Sequence, residues 1–104
     1  MSNRNIGGSL LPSSDPSILE PINTPVGAMQ VRAIPEEDTH GLFDVDSGEL
    51  IAKHANGYSC RELAERISKG NGADARMQSL YIIACGGKVT GFGASLLLRC
   101  ALKD

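Results

Sequence analysis

Tryptophan is absent, and only four aromatic residues (Phe43, Tyr58, Tyr81 and Phe92) occur in 104 residues. Aromatic side chains bury the most area each, so this composition builds one small, lean core with no room for a second domain. No apolar run approaches the ~20 residues needed to cross a bilayer, which excludes a membrane as partner. The N-terminus carries Arg4 but no long apolar block, so no secretory signal is expected there. Cysteine is scarce: three residues at irregular spacing give no complete disulfide framework, and no CxxC or His/Cys cluster suggests zinc. Neither a metal nor any other cofactor is implied, and a reducing cytoplasm is the expected compartment. Basic charge is not in excess either; the net charge of −2 argues against nucleic acid as the main partner.

The charge that is present is unevenly placed. Residues 1–49 hold eight acidic and two basic side chains, whereas residues 50–104 hold four acidic and eight basic. The simplest reading is solvated surface, or an acidic segment folded against a basic one. Residues 1–27 contain five Ser and four of the five Pro with only three charges. Each Pro removes a backbone donor and pushes its predecessor toward extended geometry. A segment of this kind buries too little apolar area to offset its ordering entropy. Residues 1–27 are therefore expected to be a disordered or loosely attached tail, a plain terminus or an unstructured export signal of the sort bacterial effectors carry. Residues 28–104 are expected to form the single domain.

Alternation from Met29 to Ile34 predicts a half-buried strand, ended by Pro35 and an exposed acidic turn, Glu36-Glu37-Asp38. Phe43-Asp44-Val45-Asp46 alternates briefly, and Glu49 to His54 reads as a further strand closed by Asn56-Gly57. The strongest helix signal follows. Ser59 with Glu62 three residues later predicts a capping box, Leu63, Ala64 and Ile67 form an apolar stripe, and Gly70 supplies the stop. Met77 to Cys85 is apolar almost without interruption from Leu80, which predicts a central strand covered on both faces. Phe92, Leu96 and Cys100, spaced by four, predict a last helix. This order implies an α/β fold: a small parallel or mixed sheet of three to four strands with two helices, its crossover right-handed.

In an open α/β sheet the site lies beyond the carboxyl ends of the strands. Cys85 ends the predicted central strand before a Gly-rich turn into a helix, and His54 ends the preceding strand. A thiol beside a helix N-terminus and an imidazole is driven toward the thiolate nucleophile. Gly86 and Gly87 allow close approach of a carbonyl, and backbone amides there are placed to meet an oxyanion. The bland alternative is a buried structural cysteine, which free Cys residues commonly are. Gly87-Lys88-Val89-Thr90 lacks the spacing of a phosphate loop. Asp44, Asp46 and Glu49 lack the spacing of a calcium loop and read as a solvated edge. Cys60 and Cys100 read as structural.

Ala84-Cys85-Gly86-Gly87 after an apolar run resembles the nucleophile motif of caspase-like cysteine peptidases, with Ile83 in place of Gln and a His expected about 50 residues upstream. His40-Gly41 lies 45 residues before Cys85. Gly57 to Ile67, followed by the apolar run to Cys85, is also similar to the self-cleaving cysteine protease domains of bacterial toxins and to related effector domains. The resemblance spans residues 40–102. It implies a caspase-like order of strand, helix, strand, helix, with Cys85 as nucleophile and either His40 or His54 as its proton partner. It further implies Gly41 and Gly86 at the oxyanion hole, and a protein or peptide substrate, cleaved in the cytoplasm or by an exported effector. The competing reading is a non-catalytic α/β module that binds a protein through its acidic segment or sheet edge. An unblocked edge on so small a domain also leads to the expectation of a homodimer.

Overall fold

In a computed structural model, which describes residues 16–103, the apolar alternation from Met29 does build the first strand. Strand β1 (Met29–Ile34) pairs antiparallel with β2 (Thr39–Asp44), which pairs antiparallel with β3 (Leu50–His54). A two-residue strand β4 (Lys88–Val89) joins β3, completing a four-stranded sheet in the order β1-β2-β3-β4. Helices α1 (Gly57–Ser68), α2 (Gly72–Ala84) and α3 (Gly91–Lys103) complete the fold. The α/β class and the four-stranded sheet agree with the sequence reading. Among the described residues the pairing is antiparallel throughout rather than parallel, and three α-helices are present rather than two.

The physical reason lies at residues 77–84, which are helical with Cys85 as the C-cap and do not form a central strand. Asn71 caps α2 by accepting from the Asp74 amide at 3.1 Å. Ala75, Gln78, Ser79 and Ile82 form its buried face, while Met77, Leu80, Tyr81 and Ile83 are apolar but exposed. With apolar residues on its outer face and the polar Gln78 and Ser79 on its inner one, α2 has no one-sided apolar stripe, and its run from Leu80 reads in sequence like a covered strand. Without that strand no crossover exists, and the chain runs β1-β2-β3 as a meander.

Helix α1 starts earlier than a cap at Ser59 implies. Asn56 is the N-cap, its side chain accepting from the Tyr58 amide at 2.8 Å, so Ser59 lies inside the first turn and Glu62 pairs instead with Arg66. Gly57 is needed at its start because a Cβ there would lie 2.7 Å from Ile18 Cδ1 and 3.0 Å from the His40 ring. The predicted stripe of Leu63, Ala64 and Ile67 is fully buried, and Gly70, at φ +75°, ends the helix.

Helix α1 packs on β1, β2 and β3, α3 packs on β3, and α2 lies against α1, α3 and β4. Met29, Val31, Leu42 and Ala52 meet Leu63, Ile67, Ile82, Leu96 and Cys100 in the core. Each large side chain there contributes roughly 1.5–3 kcal/mol. Ile51 is the extra residue of a β-bulge between the Leu42–Ala52 and Phe43–Leu50 pairs, and it too is buried. Residues 16–27 pack onto this domain: Ile18 is buried, and Ile22 bridges Met29 through two 2.8 Å backbone bonds. The part of the predicted tail covering residues 1–15 lies outside the described residues.

Candidate functional site

The C-terminal end of β3, the start of β2 and the turn from α2 into β4 enclose a cleft of about 310 Å³. Lys53, His54 and Ala55 form one wall, Glu37, Asp38 and Thr39 a second, and Cys85, Gly86, Gly87 and Lys88 a third. The third wall is close because Gly87 carries no side chain. A Cβ there would overlap the Lys53 carbonyl oxygen and lie 2.7 Å from Ile82 Cγ2. Glu37 pairs with Lys53 at 2.7 Å, which leaves the cleft mixed in charge rather than strongly of one sign.

Cys85 and His54 therefore share a cleft, and Cys85 is exposed. Tyr81, one helical turn before Cys85, belongs to the same cluster. Its ring stacks on His54 with centroids 6.3 Å apart and planes at 17°. Its phenol is held above its ordinary value, first by the hydrogen bond to the Cys85 side chain and then by charge on that sulfur. His54 Nδ1 accepts from the Asn56 amide at 2.9 Å, which puts the hydrogen of the neutral ring on Nε2. Nε2 itself is buried and has no hydrogen-bond partner among the described residues.

His40 is elsewhere. It lies opposite His54 in the β2–β3 register, but its ring is buried beneath Gly57 and its Nδ1 is 3.1 Å from the Ala55 carbonyl oxygen. Of the two histidines, His54 is the one that faces the sulfur's cleft. Gly41 is hemmed in by side chains, since a Cβ there would meet Leu50, Phe43 and Ile34, and it does not line the cleft. The amides of Cys85, Gly86 and Gly87 are taken up by the carbonyls of Tyr81, Ile83 and Ile82 at 2.8–3.0 Å. They close the end of α2 and are not free donors. Cys85 is thus at the C-cap of a helix, not before the N-terminus of one. The donors left to meet negative charge are side chains, chiefly Tyr81 and Lys88.

The other two cysteines are structural in placement. Cys60 and Cys100 are buried, and burial pushes the Cys60 thiol up to about 12, partly offset by a hydrogen bond from the His54 backbone. Asp44 closes the β2–β3 turn by accepting from the Ser47 amide and hydroxyl. Among the described residues no group of three or more His, Cys, Asp or Glu side chains gathers to hold a metal, and no helix is long and apolar enough to cross a membrane.

Tyr81 was legible in principle. Read as a helix, residues 72–84 place it four positions before Cys85 and so on the same face; read as a strand, they do not group the two as neighbours. No protein-family model, curated protein or solved structure matches the chain.

Proposed function

We propose that the chain is a cysteine hydrolase that cleaves peptide or other acyl bonds, with Cys85 as nucleophile and His54 as proton carrier. The observation that carries this reading is the shared cleft: the exposed Cys85 and His54 line one volume, with the Tyr81 ring stacked on the imidazole. The Cys85 sulfur attacks the acyl carbon, its proton passes to His54, and the Tyr81 hydroxyl supports the anionic sulfur. His54 returns the proton to the leaving amine or alcohol as the C–N or C–O bond breaks. Water then hydrolyses the thioester, releasing the acid and restoring the thiol.

The lone pair available on His54 is the one on Nδ1 that Asn56 now engages. Taking the proton therefore costs that hydrogen bond, about 0.5–1.5 kcal/mol. With the backbone amides of the turn committed, Lys88 is the cleft-lining donor that meets the tetrahedral oxygen. Kinship with the caspase-like peptidases is part of this proposal and rests on Ala84-Cys85-Gly86-Gly87.

Hydrolysis of a fluorogenic peptide and activated-ester panel tests it. Turnover should vanish in Cys85→Ala, fall at least ~100-fold in His54→Gln, and persist in a folded His40→Gln. Equal turnover in wild type and Cys85→Ala, or none on any substrate in wild type, overturns the reading.

A further inference from the structure

The outer face of α2 is unusually apolar. Met77 is 63% exposed, Leu80 61%, Tyr81 52% and Ile83 51%, and Leu98 of α3 beside them is 61% exposed. Taking ~200 Å² for a fully exposed large side chain, these five leave roughly 550–600 Å² of continuous surface open. That is at the upper limit of the ~300–600 Å² found for the largest patch on a monomer. A groove of about 330 Å³ runs alongside, between α2 and α3, lined mostly by Ile83, Val89, Ala94, Leu97 and Leu98.

We infer that this face binds a second copy of the chain, with the two α2 helices packed antiparallel about a two-fold axis. Spacing selects this occupant. Ala73, Met77, Leu80 and Ala84 are all exposed and separated by four, three and four residues, the interval of a coiled-coil seam. The stripe reads small, large, large, small in both directions. Around an axis between residues 78 and 79, Ala73 lies over the partner's Ala84 and Met77 over the partner's Leu80. Small residues at both ends let the helices approach, and large ones fill the middle. Antiparallel helices also align their dipoles favourably.

The area is consistent with this geometry. A two-fold contact uses the same patch on both copies, so the pair buries roughly 1,100–1,200 Å², at the lower end of specific interfaces of ~1,200–2,000 Å². A dimer of micromolar rather than nanomolar strength follows, and it does not depend on the hydrolase reading.

Sedimentation equilibrium of the full chain, with cysteine cross-linking, tests the inference. The wild type is expected to pass from monomer to dimer over micromolar concentrations. Leu80→Glu, at an exposed position, is expected to keep the native circular dichroism and to weaken dimerisation more than ~100-fold, because the charge enters the seam twice. In a Cys85→Ser background, Met77→Cys mixed with Leu80→Cys should form a covalent heterodimer in preference to either homodimer. A wild type that stays monomeric to ~1 mM, a dimer unaffected by Leu80→Glu, or homodimer cross-links of equal yield each overturn it.

Discussion

Replacing Gly87 by Ala probes the contact that brings the cysteine turn to the sheet. The added Cβ would overlap the Lys53 carbonyl oxygen and lie 2.7 Å from Ile82 Cγ2 and 2.9 Å from the Ile82 carbonyl oxygen. Two of these three neighbours are backbone atoms, and the third belongs to a fully buried side chain, so none yields cheaply. Overpacking of this kind costs about 1–3 kcal/mol. A gain of ~0.4–1 kcal/mol from the less flexible unfolded chain offsets little of it. Because two of the neighbours are backbone the cost lies in the upper half of that range, and the net loss of ~1–2.5 kcal/mol lowers Tm by roughly 4–20 °C in a domain of this size. Gly91→Ala is the control, because nothing lies within 4 Å of its Cβ and it occupies the first turn of α3. That variant should be neutral or up to ~1 kcal/mol more stable. Urea unfolding followed by circular dichroism measures both. If Gly87→Ala unfolds within 0.5 kcal/mol of wild type, the turn is not packed on Lys53 and Ile82 as described, and the enclosed cleft goes with it.

Three further outcomes follow from the geometry. The Cys60 thiol, held at about 12 against an ordinary 9.0, stays protonated in the folded chain while the unfolded chain ionises between these values. Its stabilising contribution is complete below pH 9 and is lost toward pH 12, at up to ~1.4 kcal/mol per pH unit; urea unfolding of Cys60→Ala over the same range should lack this component. Iodoacetamide mapping of the native protein should label Cys85 and spare the buried Cys60 and Cys100 until urea is added. Asn56→Ala should destabilise by about 1 kcal/mol through loss of the α1 cap, and Ser59→Ala by less if its hydroxyl caps nothing, a difference that thermal unfolding resolves.

The elements whose local signals agree with their surroundings were legible from sequence. Leu63, Ala64 and Ile67 read as a buried helical stripe because one face is apolar and the other charged. Met29 to Ile34 read as a strand because β1 has one face on the core and one in water. Helix α2 was not legible because its outer face carries Met77, Leu80, Tyr81 and Ile83 while Gln78 and Ser79 are buried, which erases the one-sided stripe that marks a helix. That single misreading added a parallel crossover to a sheet expected to be parallel or mixed, and put Cys85 before a helix instead of at the end of one. Cys85 and His54 were identifiable as a pair by their positions at element ends. Their detailed chemistry was not, since the amides of Cys85 and Gly86 look free in sequence and are consumed by the Tyr81 and Ile83 carbonyls, respectively, in the fold. The partnership of Tyr81 with the sulfur depends on helical geometry and was hidden with it.

Nuclear magnetic resonance of the two histidine rings, before and after carboxymethylation of Cys85, tests most directly whether sulfur and imidazole share one cleft. The added carboxylate should shift the ring signals of His54 and Tyr81 and leave the buried His40 ring unmoved. Shifts confined to His40, or none at either histidine, would contradict the arrangement from which the proposed hydrolase chemistry follows.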